Sequence, residues 1–163
     1  MLDVTLGRTM HSARPGRRRR EIKERRRGVA TTLTDSMRSY LAEPRFAVLA
    51  TINEDGMPHQ TVVWYDVRQD EIVFNTARGR VKDRNMRRDG RVSLCIEDGY
   101  RYLTLQGRVR IVDDPEQAQR DIRALAIRYA GPEQGEHQAR TQFYREQRVS
   151  LYLQIDHIIA NNL

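Results

Sequence analysis

The chain has 163 residues, of which 39% are hydrophobic, and this suits one domain with one modest core. Its apolar runs fall well short of the roughly 20 residues that a membrane helix needs. This excludes a membrane span, so we expect a soluble protein without a membrane partner. The net charge of +7 lies at one end: residues 1–27 hold 10 Lys+Arg and 3 Asp+Glu, whereas residues 28–163 hold 19 of each.

Residues 1–32 are basic and poor in apolar side chains, which predicts a flexible extension followed by one domain over residues 33–163. Three interpretations of the extension stay open: an arm for nucleic acid or another polyanion, a solvated segment, or sequence upstream of a true start at Met37 or another downstream site. Nucleic acid is expected as a partner only through this extension. The single cysteine, Cys95, fits a reducing cytoplasm, and its alternating apolar neighbours predict a buried strand residue.

The sequence of the first half of the domain predicts a helix, a three-stranded meander and a second helix. Thr34 can cap a helix that runs through Leu41, because Pro44 prevents its continuation. Short β-rich segments separated by turn residues then predict three strands. The predicted strands are Phe46–Ile52, His59–Val67 and Glu71–Asn75, and the second helix is Val81–Arg88.

The second half adds three strands and two further helices. Asp114 and Pro115 are typical of a helix start, and Gly131 with Pro132 is typical of its end. A second helix is predicted over His137–Gln147. The predicted strands are Val92–Ile96, Tyr100–Val112 with a bend or bulge at Gly107, and Val149–Ile155. This order predicts an α+β, mainly β protein: a barrel of about six antiparallel strands with flanking helices, and not a doubly wound parallel sheet.

A basic segment between two of the predicted strands is the strongest functional signal. Its local charge is +5, because seven cations stand against Asp83 and Asp89: Arg78, Arg80, Lys82, Arg84, Arg87, Arg88 and Arg91. Arg80 and Lys82 lie where a strand passes into a helix, and the free amides of a helix N-terminus bind phosphate well. Lys82 is one of two lysines in the chain, which favours a compact ammonium at a phosphate. The alternative is a solvated basic helix face; RNA binding is disfavoured because no aromatic residue lies between Thr76 and Gly90.

Three segments in order carry a resemblance to a known family: Phe46–Trp64, Ile72–Thr76 and Arg80–Asp89. They resemble the pyridoxamine 5'-phosphate oxidase-like split β-barrel superfamily, of flavin-reductase and FMN-binding-protein type. Within it, the chain is most similar to the deazaflavin (coenzyme F-420)-dependent oxidoreductases. The resemblance runs from about Leu33 to the C-terminus.

The resemblance implies a homodimer with two cofactor sites at its interface. It implies that Tyr100 and Tyr102 approach the cofactor from the partner subunit; a cross-strand aromatic pair is the alternative reading. The remaining implied cofactor-binding positions are Gln60, Thr61 and Val62 along the ring system, Asn75 and Thr76 near the ribityl chain, and Arg80, Lys82 and Asn85 at the phosphate, with Val81 among them.

The sequence departs from true pyridoxamine phosphate oxidases at Gln60, where those enzymes commonly have an arginine, and it lacks their C-terminal arginine-histidine motif. Vitamin B6 oxidation is therefore not expected. The leading expectation is a cytoplasmic enzyme that transfers a hydride between reduced 8-hydroxy-5-deazaflavin coenzyme (F-420) and a small conjugated acceptor, such as a quinone, tetrapyrrole or enone. The alternatives are an FMN-binding oxidoreductase and a non-enzymatic flavin or haem storage protein with a nucleic-acid-contacting tail. No catalytic side chain is predicted, because the cofactor carries the chemistry. No metal site is predicted, because no His, Cys, Asp or Glu cluster has metal-site spacing.

Overall fold

Residues 32–163, the part of the chain that the computed structural model describes, form seven strands and four α-helices. The predicted extension lies outside these residues, apart from residue 32. In chain order the elements are α1 (Asp35–Ala42), β1 (Ala47–Ile52), β2 (Pro58–Val63), β3 (Tyr65–Arg68), β4 (Glu71–Ala77), α2 (Val81–Arg88), β5 (Arg91–Asp98), β6 (Arg101–Val112), α3 (Pro115–Ala130), α4 (Pro132–Thr141), a 3-10 turn (Phe143–Arg145) and β7 (Arg148–Asn161). No helix among these residues is long and apolar enough to cross a membrane.

The strands form one curled antiparallel sheet in the order β2-β1-β5-β6-β7-β4-β3. The two edge strands, β2 and β3, are consecutive in sequence and only Trp64 separates them. Val63 pairs with β1 and Tyr65 pairs with β4, so the opposite edges of the sheet meet within one residue. The predicted α+β split barrel is confirmed. It has seven strands because the predicted strand His59–Val67 divides at Trp64.

Side chains that alternate along the strands fill the interior of the curled sheet. In β5 the buried residues are Val92, Leu94 and Ile96. Cys95 therefore lies on the opposite face, where it is half-buried, and the prediction of a buried Cys95 was wrong. Strand periodicity gives the physical reason, because neighbouring residues of a strand point to opposite faces.

The helix starts follow their local signals. The Thr34 hydroxyl accepts a hydrogen bond from the Met37 amide, and Asp114 caps α3 through the amides of the following turn. The predicted helix His137–Gln147 was misplaced, since α4 begins at Pro132. Pro132 ends α3 and also provides the first turn of α4, which proline favours. A Cβ atom at Gly135 would lie 2.5 Å from the Ile127 backbone, so glycine allows the two helices to pack this closely.

The predicted irregularity at Gly107 is confirmed. Gln106 pairs with His157 and Gly107 pairs with Ile155, so Asp156 is an extra residue in β7. A Cβ atom at Gly107 would lie 1.9 Å from the Gln154 carbonyl oxygen, which requires glycine there. The bulge reverses which side chains of β7 face the core. The alternation of apolar residues that predicted this strand therefore ends at Ile155, although the strand itself continues to Asn161.

A buried carboxylate joins α3 to the sheet. Asp121 is 1% exposed and accepts hydrogen bonds from Arg68 at the end of β3 and from Gln117 one helical turn away. Its second oxygen accepts from the Ser150 hydroxyl at 2.6 Å and the Tyr152 hydroxyl at 3.0 Å, both in β7. Four donors replace the water that this carboxylate loses on folding.

We expect Asp121→Ala to lower the free energy of unfolding by about 2–4 kcal/mol, because it leaves Ser150 and other buried donors without an acceptor. Urea denaturation followed by circular dichroism measures the loss. The control is Asp70→Ala, which removes a carboxylate that is 72% exposed and paired with Arg38. The control substitution should lower the free energy of unfolding by less than about 1 kcal/mol. Equal losses in the two variants would contradict a structural role for the buried network.

Candidate functional site

The turn between β4 and α2 presents the uncapped start of a helix. Gly79 adopts a φ of +80°, a conformation that glycine tolerates best, and Arg80 is the last residue before the helix. The Arg80 side chain does not cap the helix. Instead, Asp83 folds back from the first turn and accepts a 2.7 Å hydrogen bond from the Gly79 amide. Amides of the first helical turn are left for an external acceptor such as an anion.

Three cations gather at this helix start, and we call Arg80, Lys82 and Arg148 the cationic cluster. Arg148 comes from the beginning of β7 and is buried, with its guanidinium 5.1 Å from the centre of the Phe143 ring. Glu146 is the carboxylate shared by two members: it pairs with Arg80 at 3.1 Å and with Arg148. The described residues offer Lys82 no ion pair, although the residue is only 9% exposed.

The electrostatic environment of Lys82 is unfavourable for its charge. Burial lowers the pKa of its ammonium below the usual value, and the nearby positive charges of Arg80 and Arg148 lower the pKa further. Burial likewise lowers the pKa of Arg148, although Glu146 partly opposes this. A buried ammonium without a counter-ion stabilises any anion that enters beside it.

The rest of α2 serves to hold the helix in place. Both amide hydrogens of Asn85 are used, on the Thr51 hydroxyl at 3.1 Å and the Asn53 side-chain oxygen at 2.9 Å. The helix thus crosses from the end of β4 to β1. The predicted role of Asn85 at the phosphate stays a prediction. The other basic side chains of α2 also have partners within the chain. Arg84 donates to the Gly79 carbonyl and Arg88 donates to the Ile52 carbonyl. Arg87 donates to the carboxylates of Asp83 and Asp113.

Asn75 is tied to the cationic cluster from the neighbouring strand. Its amide nitrogen donates to the Ala118 carbonyl at 3.0 Å and to the Ser150 hydroxyl at 3.3 Å. Its side-chain oxygen accepts from Arg148 Nε at 2.8 Å. Asn75 therefore positions Arg148, a relationship that the sequence did not predict, while a contact with a ribityl chain stays a prediction.

Two buried hydroxyls among the predicted residues lack a hydrogen-bond partner in the described part of the chain. They are Oγ1 of Thr61 in β2 and Oγ1 of Thr76 in β4. Buried polar groups usually have partners, so each hydroxyl calls for water or a ligand. The neighbours of Thr61 in the edge strand, Gln60 and Val62, are exposed on the other face. Val81, at the start of α2, is exposed as well.

The two predicted tyrosines lie at the far end of the β5–β6 hairpin. Tyr100 is in the turn and is 87% exposed. Tyr102 is in β6, where its cross-strand neighbours are Glu97 and Asn161. Because neither neighbour is aromatic, the cross-strand aromatic pair weighed for these tyrosines does not form. Their predicted approach to the cofactor of a partner subunit stays a prediction.

A cleft of about 460 Å³ borders the cationic cluster, because Arg148 of the cluster and its partner Glu146 both line it. The other lining residues are Arg78, Asp113, Pro115, Gln119, Tyr144 and Gln147. Sequence reasoning missed both Glu146 and Arg148. The only available signal was a charged pair directly before an apolar strand, and this pattern does not indicate that these residues meet Arg80.

Within the described residues no group of three or more His, Cys, Asp or Glu is placed to hold a metal ion.

Known proteins share this sequence pattern and fold. Residues 33–159 match the family described as pyridoxamine 5'-phosphate oxidase. The chain is 29% identical over 133 residues to a biliverdin reductase of Mycobacterium tuberculosis (strain CDC 1551 / Oshkosh) that is named as dependent on reduced F-420, with 80% of this chain and 90% of the relative covered.

Solved structures agree with the sequence match. A conserved hypothetical protein from Mycobacterium tuberculosis has a TM-score of 0.66 and 31% identity, with 80% of this chain and 86% of that chain covered. A structure named F-420 reductase has a TM-score of 0.60 and 26% identity, with 74% and 94% covered.

Lysine-specific ¹³C labelling offers a direct test of the unpaired ammonium, because the chain contains two lysines, Lys23 and Lys82. Lys82→Met removes one of the two Cε signals and so assigns it. In the absence of anions, we expect the Lys82 signal to titrate with a pKa below the usual 10.5. Inorganic phosphate should raise that pKa, because an adjacent anion favours the protonated form. A pKa at the usual value, or one that phosphate leaves unchanged, would contradict an anion site at Lys82.

Proposed function

The chain belongs to the pyridoxamine 5'-phosphate oxidase family, and we propose on that premise that it is an oxidoreductase that uses coenzyme F-420, an 8-hydroxy-5-deazaflavin. When bound, the reduced coenzyme supplies a hydride to a small conjugated acceptor such as a quinone, a tetrapyrrole or an enone. The names of two relatives support this coenzyme, one as a biliverdin reductase dependent on reduced F-420 and one as an F-420 reductase. Biliverdin, a tetrapyrrole, is therefore the first acceptor to test.

The observation that carries the proposal is the cationic cluster at the start of α2. Its three positive charges and the single negative charge of Glu146 give a net charge of +2. Lys82 would donate to the phosphate of the coenzyme, and uncapped amides of the first helical turn would add neutral donors. Arg80, half of whose side chain is exposed, can turn toward the same anion.

The unsatisfied hydroxyl of Thr76 fits the remainder of a bound coenzyme. It would hydrogen-bond to a polar atom of the coenzyme, since it has no partner among the described residues. Gln60 and Val62 would lie along the ring system, as the family resemblance implies. In this proposal the chain binds, orients and shields the coenzyme and the acceptor, and no side chain of the chain is assigned a catalytic role.

A homodimer completes the proposed site. Within residues 32–163 the edge strand β2 is hydrogen-bonded only to β1, and two large apolar side chains at this edge, Met57 and Val62, are exposed. Exposed strand edges and apolar side chains are features that proteins commonly cover by association. A second subunit placed here would contribute Tyr100 and Tyr102 to the cofactor site of the first subunit.

FMN is the second candidate cofactor, because its phosphate also fits the charge of the cluster. FMN ends in a phosphate monoester, which carries about −1.5 to −2 near pH 7 and matches the net charge of +2. F-420 carries its phosphate within a longer anionic tail, which needs further cations. Arg78, 52% of whose side chain is exposed and which pairs with Asp113 at 3.4 Å, is a further cation close to the start of α2.

Titration of the purified protein with each cofactor separates these candidates. We expect F-420 fluorescence anisotropy to rise on binding, and a yellow preparation with a flavin spectrum would instead support FMN. Lys82→Ala should weaken binding by about 1.5–3 kcal/mol, or roughly ten- to hundredfold in Kd, because it removes a charged hydrogen-bond donor from the phosphate. Arg120→Ala is the control, since Arg120 is an exposed cation on α3 that pairs with Glu116.

Turnover is then followed by the loss of reduced F-420 absorbance in the presence of biliverdin and of a quinone. Binding without turnover of any acceptor would favour the storage-protein alternative. Binding of neither cofactor would overturn both redox proposals, and equal affinity of Lys82→Ala and the unmodified protein would overturn the assignment of the phosphate to Lys82.

A further inference from the structure

Glu146 is an internal anion located between two members of the cationic cluster. It follows the 3-10 turn, and its amide donates to the Phe143 carbonyl at 3.1 Å. Gln119 of α3 donates to the carbonyls of Phe143 and Glu146 at 3.0 and 3.2 Å. The backbone of Glu146 is thus fixed by its surroundings, which places the carboxylate between Arg80 and Arg148 without any ligand.

The charge of the cluster is therefore partly compensated within the chain. One carboxylate oxygen of Glu146 accepts from Arg80 and the other from Arg148, while Lys82 has no carboxylate partner among the described residues. An anion that enters the cluster meets the free ammonium of Lys82. It also meets two arginines that it must share with Glu146, and it is repelled by the carboxylate itself.

We infer that Glu146 is a specificity-determining residue that limits the negative charge of the group the cluster accepts. The inference rests on the proposed function for its assignment of the cluster to the phosphate of a cofactor. In this arrangement a single phosphate balances the net charge of +2, whereas a pyrophosphate brings excess negative charge against Glu146. The cluster should thus select cofactors with one phosphate over dinucleotides and nucleoside diphosphates, whose phosphate groups are linked in pairs.

The chain provides a closely matched control for this residue. Glu136 in α4 also lies between two arginines, Arg123 and Arg140, and its side chain is 28% exposed, compared with 29% for Glu146. Glu136 lies outside the cluster and does not line the adjacent cleft. Glu136→Gln removes the same charge from a similar setting, whereas Glu146→Asp keeps the charge at the position of interest.

The experiment measures the Kd of inorganic phosphate and of pyrophosphate by calorimetry at low ionic strength, with the intact chain and the three variants. Glu146→Gln should tighten pyrophosphate binding roughly tenfold and phosphate binding about threefold, because the removed charge repels the more negative anion more strongly. Glu136→Gln and Glu146→Asp should keep the original ratio of the two Kd values. Thermal unfolding of each variant shows that it is folded.

An unchanged ratio in Glu146→Gln, or the same gain in Glu136→Gln, would overturn the inference. Weaker binding of both anions by folded Glu146→Gln would also overturn it, because Glu146 would then serve only to hold the arginines in place. The test is separate from the proposed function. If Glu146→Gln changes the ratio of the two Kd values but the protein binds neither F-420 nor FMN, the inference is supported and the proposed function is overturned. If the protein binds one of these cofactors but Glu146→Gln leaves the ratio unchanged, the proposed function stands and the inference is overturned.

Discussion

The carboxylate of Asp121 accepts hydrogen bonds from four side chains in different parts of the fold: Arg68 at the end of β3, Gln117 in α3, and Ser150 and Tyr152 in β7. A carboxylate removed from water this completely is tolerated only where the protein supplies the missing hydrogen bonds. The requirement fixes α3 against β7 and against the edge strand β3. Since β3 continues the other edge strand through Trp64, the same contact helps to hold the curled sheet closed.

The polar network continues from Asp121 to the proposed cofactor site, and each step determines the next. Ser150 donates its hydroxyl hydrogen to Asp121, so its oxygen is free to accept from the Asn75 amide. That orientation turns the Asn75 oxygen toward Arg148, which in turn reaches Glu146. Arg148 of the cationic cluster is thus held in position by the core before any ligand arrives. Preorganisation of this kind lowers the entropic cost of binding an anion.

Sequence reasoning succeeded where the determining interactions are local. The cap at Thr34 and the helix Val81–Arg88 depend on residues within a few positions, and the structure confirms both. The division of a predicted strand at Trp64 depends instead on which distant strands its two halves pair with. The site shows the same contrast. The start of α2 could be predicted from neighbouring residues, whereas the ion pair of Glu146 with Arg80 joins residues 66 positions apart. The position of Arg148 beside Arg80 and Lys82 depends on the assembly of the sheet.

The lysine at position 82 suits the same electrostatics. Its side chain presents a compact ammonium on a flexible stem, whereas an arginine would present a planar guanidinium. Burial and the charges of Arg80 and Arg148 lower the pKa of Lys82, so the empty site holds this ammonium in unfavourable surroundings. An arriving phosphate reverses the balance and favours the protonated form. A bound anion therefore relieves an electrostatic cost that the folded chain carries without it, and this relief adds to the affinity of the cluster for its ligand.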